Sequence, residues 1–178
     1  HVINDGVIAA RMGIVVLGSG SQVNFDLAGD GLINFDVKKS LVDALVTNHG
    51  LIQGDGNTVY MSASTASALA SSVVNNDGEI QANSVEHKSG HVYLVAQGGD
   101  VDSSGTIDVS GNGGTNGGTV TLDTDGTTTV SGDISARSGD NGGIGGTIHL
   151  LGNQVDLAST ANVDASGQSG GGEVLVGG

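Results

Sequence analysis

One short pattern recurs along this chain at nearly constant spacing: an apolar residue, a mostly polar one, then a small one. The first positions are Ile8, Ile52, Ile80, Ile107, Ile134 and Val163, followed two residues later by Ala10, Gly54, Ala82, Val109, Ala136 and Ala165. From Ile52 onward the intervals are 28, 27, 27 and 29 residues. Alternation with period two is the mark of a strand with one buried face. A fixed interval of this length indicates stacked supersecondary units, none of which can bury its apolar side alone.

A second column follows in each repeat at Val15, Val59, Val92, Val120, Ile148 and Val174. Two residues further on stand Leu17, Met61, Leu94, Leu122, Leu150 and Val176. A third column precedes the first by six residues at Val2, Val46, Val74, Val101 and Leu157, with Val130 serving the repeat of Ile134. Three strands per repeat predict an all-β, single-stranded parallel β-helix of about six coils of ~27 residues, triangular in section. With neighbouring strands ~4.8 Å apart, the rod is about 30 Å long. The stretch 104–123 is its plainest copy, two short strands joined by the corner GNGGTNGG.

Composition suits this narrow core. Among 178 residues there are 33 Gly, no Pro, Cys or Trp, and two each of Tyr and Phe, so Val, Ile, Leu and Ala must fill the interior. The absence of Cys excludes a disulfide framework and a Cys-ligated zinc site. A net charge of −14 opposes nucleic acid and anionic membranes as partners. No apolar run reaches the ~20 residues of a membrane span, and no basic segment followed by an apolar one opens the chain. We therefore expect a segment of a longer polypeptide, without membrane insertion.

Residues 1–178 read as one domain, with decorated coils over 1–97 and plain glycine-rich coils over 98–178. The first interval, 44 residues, is lengthened by 21–37. There Val23, Phe25 and Leu27 alternate, AGDG turns, and Ile33, Phe35 and Val37 alternate again. This predicts an inserted β-hairpin whose phenylalanines pack on the flank of the coils. Alanine and serine spacing over 62–72 suggests a short helix or a bulged corner. Asn4, Asn48, Asn76 and Ser103 each stand four residues before the first column, and predict a stacked side-chain ladder along the axis.

Candidate chemistry is sparse. Tyr60 and Tyr93 hold equivalent outward positions in adjacent coils and are the candidate binding residues, although cross-strand pairing explains them as well. Asp108 and Asp164 share an outward column two coils apart, ~10 Å, with Ser135 between them. Parallel β-helices also carry polysaccharide lyases and hydrolases, but such sites need converging carboxylates with basic partners. The basic residues are Arg11, Lys38, Lys39, Lys88 and Arg137. We read the chain as non-catalytic, without a cofactor or metal centre. Asp26, Asp30 and Asp36 near AGDG, and Asp100 with Asp102, offer at most weak calcium binding, because the twelve-residue calcium loop is missing. His87 and His91 have a zinc spacing only on a helix, whereas Gly90-His91-Val92 reads as a strand entry.

Four stretches, GVIAARMGIVVLGSG, FDLAGDGLINFDV, LVTNHGLIQGDGNTVYMSA and SALASSVVNNDGEIQA, resemble the N-terminal region of filamentous-haemagglutinin-like exoproteins. These are large surface adhesins exported by two-partner secretion. The resemblance covers residues 1 to about 96, and the rest is similar to the family's glycine-rich repeats. It implies a right-handed helix, export through an outer-membrane β-barrel transporter, and a place on or released from the surface of a Gram-negative bacterium. Host-cell or glycan receptors are then the partners of the full-length protein. The chain lacks the family's Asn-Pro motifs and its extreme N-terminal cap, which favours a rigid shaft role in attachment over direct transporter docking. The alternative expectation is a self-assembling subunit of an extracellular matrix or biofilm filament, because uncapped solenoid ends present unpaired strand edges.

Overall fold

The computed structural model describes residues 1–20, 22–26, 34–38, 44–65, 70–85 and 88–178, giving only the backbone at 22–26, 34–38 and 70–72. The first coil is β1 (Val2–Asn4), β2 (Val7–Ala9) and β3 (Val15–Ser19), after which β4 (Gln22–Asp26) and β5 (Asn34–Lys38) leave the stack. The second is β6 (Val46–Asn48), β7 (Leu51–Gln53) and β8 (Thr58–Ser64). The third is β9 (Ala70–Asn76), β10 (Glu79–Gln81) and β11 (His91–Gln97). Next come β12 (Gly99–Ser103), β13 (Thr106–Asp108) and β14 (Thr119–Thr124), then β15 (Thr127–Val130), β16 (Asp133–Ser135) and β17 (Thr147–Leu151). The last coil is β18 (Gln154–Leu157), β19 (Asn162–Asp164) and β20 (Glu173–Gly177).

These strands form three six-stranded sheets, each taking one strand from every coil in order. All pairings within them are parallel, so the chain is a parallel β-helix of six coils. The first sheet holds β1, β6, β9, β12, β15 and β18, the second β2, β7, β10, β13, β16 and β19, and the third β3, β8, β11, β14, β17 and β20.

The expected apolar columns fall into register. Ile8, Ile52, Ile80, Ile107, Ile134 and Val163 pair in succession on the second sheet. On the third, Val59, Val92, Val120 and Ile148 stack, as do Met61, Leu94, Leu122 and Leu150. All eight are fully buried. Such burial contributes roughly 1.5–3 kcal/mol per side chain before ordering costs, and each coil gains it only with a neighbour in place.

The first sheet corrects the expected third column. Val101 faces Thr128, which faces Val155, whereas Ser103 faces Val130, which faces Leu157. Val130 and Leu157 therefore belong to the asparagine column, and Thr128 holds the third-column position of the fifth coil. Thr128 is fully buried, and its hydroxyl donates to the Leu151 carbonyl at 2.6 Å. One hydrogen bond lets a polar β-branched side chain occupy an apolar slot.

Of the stretch 62–72, expected as a short helix or a bulged corner, the two ends are described. Strand β8 runs to Ser64 and β9 begins at Ala70, while 66–69 lie outside the described residues. Gly99 faces Ala70 and Val101 faces Val74, a register shift that gives β9 extra residues against β12. Val74, Asn75 and Asn76 pair with both β6 and β12.

In the insertion, β4 and β5 pair antiparallel with Val23 opposite Val37 and Phe25 opposite Phe35. The expected turn at 28–31 and the packing of the two phenylalanines lie outside what is described.

Candidate functional site

The predicted ladder forms through its asparagines and stops before its serine. Asn4 Nδ2 donates to Asn48 Oδ1 at 2.7 Å, and Asn48 Nδ2 donates to Asn76 Oδ1 at 2.8 Å. Asn48 Nδ2 also reaches the carbonyls of Gly50 at 3.2 Å and Glu79 at 3.4 Å. The Ser103 hydroxyl is buried with no hydrogen-bond partner among the described residues, because it is too short to reach the amide of Asn76. Val130 and Leu157 then continue the column as apolar residues. We expect Ser103→Asn to extend the ladder by one rung and stabilise the fold by about 1 kcal/mol, read as a rise in melting temperature. A fall would show that Val130 leaves no room for the longer side chain.

Tyr60 and Tyr93 face each other across β8 and β11 on the outside of the third sheet, with ring centroids 5.9 Å apart and planes 40° from parallel. His91 lies two residues before Tyr93 on the same face and stacks on it, centroids 6.4 Å apart. Burial among these rings raises the Tyr60 phenol, against a hydrogen bond with Ser62 that lowers it, and burial lowers His91. The sequence brings the two tyrosines together. It misses the third ring, although His91 stands at i−2 from Tyr93 and must therefore share its face.

The carboxylates are engaged with backbone. Asp108 Oδ1 accepts the Ser110 amide at 2.9 Å, and Asp164 Oδ1 accepts the Ser166 amide at 2.8 Å. Hydrogen bonds from the Ser166 side chain and backbone, with a smaller contribution from Arg137 3.5 Å away, hold the Asp164 carboxyl below its usual range. Two aspartates each tied to the amide two residues on are turn caps. Asp100 Oδ1 takes the Thr127 amide at 2.7 Å. Asp102 is raised by burial and secondarily by the charge of Asp77. Among the described residues, no three His, Asp or Glu side chains converge as metal ligands. The side chains of Asp26, Asp30 and Asp36, and His87 entirely, lie outside the described residues.

At a corner of the rod His49 Nδ1 meets Asp77 Oδ1 at 2.6 Å, both well exposed. Surface hollows lie beside Arg137, Asp140 and Gln168, and beside Gln97, Asp123 and Asp125. In the second, Asp125 Oδ1 accepts the Gly98 amide at 2.6 Å.

The outer surface thus offers a contacting cluster of Tyr60, Tyr93 and His91 on one sheet and aspartates that cap turns. Comparison of the chain with protein-family models, with curated proteins and with solved structures finds no match.

Proposed function

We propose that this chain is a structural segment of a secreted or surface-exposed bacterial filamentous adhesin, acting as a rigid rod in cell-surface or host attachment. The observation that carries this reading is the unbroken register of the inward columns through all six coils. Every strand of the three sheets bonds to the coil before it or after it, so their backbone hydrogen bonds run along one axis and resist bending together. Such a body holds other binding regions at a distance. The sequence resemblance supplies the context: export through an outer-membrane β-barrel transporter, and receptors engaged by the full-length protein.

Antibody against this chain is expected to label intact producing cells or their culture fluid, and to lose that label when the transporter is deleted. Labelling only after the cells are permeabilised would overturn the proposal.

A further inference from the structure

Two corners of the plain coils carry the same tripeptide three times, Asn-Gly-Gly at 112–114, 116–118 and 141–143. An asparagine before a glycine can react with its own backbone. The following amide nitrogen attacks the side-chain carbonyl carbon, and the missing Cβ leaves the way to that nitrogen open. All three asparagines are exposed, so sequence and exposure do not separate them. Their hydrogen bonds do.

Gly117 N–H donates to the Ile144 carbonyl at 3.0 Å, and Asn116 Oδ1 accepts the Ile144 amide at 2.9 Å. One residue of the next coil thus holds both partners of the reaction. A Cβ on Gly117 would lie 2.0 Å from the Ala136 carbonyl oxygen, which leaves no room for a new ring. At 141–143 the opposite holds. The Asn141 side chain and Gly142 N–H have no hydrogen-bond partner among the described residues. Gly142 has φ +105°, and a Cβ there would meet only the Ser169 hydroxyl, at 3.5 Å, apart from its chain neighbours. Asn112 is intermediate. Gly113 is as open, but Asn112 Nδ2 and N–H reach the Ser84 carbonyl at 3.4 and 3.3 Å.

We propose that Asn141 is a site of self-modification, which deamidates through a cyclic imide while Asn116 is protected. The Gly142 nitrogen, losing its proton to hydroxide, bonds to Asn141 Cγ, and the Cγ–Nδ2 bond breaks to release ammonia. Water then opens the ring at either carbonyl and leaves aspartate or isoaspartate. One water enters, one ammonia leaves, and the step needs no oxidant and no cofactor.

The product places a new carboxylate beside Asp140 in an already acidic chain. As isoaspartate it also adds a methylene to the main chain. That happens at a corner where Asn141 N–H bonds the Gly113 carbonyl and the Gly143 carbonyl accepts Ser169 N–H, each at 2.9 Å. Modification therefore acts on the stacking of the corners of the last three coils, whatever the rod carries.

The test is incubation of the full chain in mildly alkaline buffer, folded and in urea, with ammonia assay and peptide mass mapping over time. In the folded chain Asn141 should convert roughly tenfold faster than Asn116, with Asn112 between them. In urea, where the three segments are freed from their coils, the rates should fall within about threefold of one another. Asn141→Gln, whose longer side chain closes the ring poorly, should remove the early ammonia with an unaltered circular-dichroism spectrum.

Asn116 keeping pace with Asn141 in the folded chain overturns the proposal, since exposure and not the Gly117 hydrogen bond would then set the rate. Conversion of Asn141 only in urea overturns it as well, by showing that the corner holds this side chain away from Gly142. Asn112 reacting first, or early ammonia that persists in Asn141→Gln, does so equally.

Discussion

Gly105→Ala should lower the unfolding free energy by about 3 kcal/mol, while Gly6→Ala should leave it within experimental error. Both glycines head the same corner, which stacks through five coils as Gly6, Gly50, Gly78, Gly105 and Gly132. A Cβ on Gly105 would lie 2.0 Å from the Gly78 carbonyl oxygen and 2.6 Å from the Asp77 carbonyl carbon, whereas one on Gly6 meets nothing within 4 Å. The obstructing atoms are backbone and cannot turn aside. Gly105 N–H bonds the Asn76 carbonyl at 2.9 Å and the Gly78 carbonyl accepts Thr106 N–H at 2.9 Å. A methyl group therefore separates two coils at a corner where both are held. Urea unfolding of the two variants checks this, and equal shifts in midpoint would show that the corner yields.

Asn48→Ala should cost about 3 kcal/mol, and Asn4→Ala about 1 kcal/mol. Asn48 is fully buried in the middle of the ladder, accepting from Asn4 and donating to Asn76. Its removal leaves a buried donor above and a buried acceptor below, and opens a cavity that an apolar methyl does not fill. Asn4 is less buried and bonds one rung only, so its loss frees the Asn48 acceptor and the part-buried Gly6 amide. Chemical denaturation of both variants gives the comparison. Equal costs would mean that the amides act as separate turn bonds and not as a ladder.

The apolar columns were legible because a strand has period two and the repeat has nearly constant length. Ile52 and Ile80, once aligned by sequence, must also be neighbours in space. The same logic failed at Thr128. A search for apolar residues passed over it in favour of Val130, since nothing in the local sequence says that Leu151 will offer its carbonyl to the threonine hydroxyl. Ser103 failed in the opposite sense: position predicted a rung, but side-chain length prevents it from reaching Asn76.

Of the candidate site, the pairing of Tyr60 with Tyr93 was legible from column position alone. The part played by Asp108 and Asp164 was not. Whether an outward carboxylate waits for a substrate or closes a turn depends on the direction of the amide two residues on, which is a matter of backbone angles.

The sequence by itself determined the repeat, two of the three inward columns and the number of coils, because hydrophobic burial acts on pattern and period. Only the tertiary structure decided which atoms of adjacent coils touch. It fixed the stacking of glycines on carbonyls, the end of the amide ladder at Asn76, and the stacking of His91 on Tyr93. The first two depend on the rotation of one coil over the next, and that rotation is set by register and packing between residues about 27 positions apart.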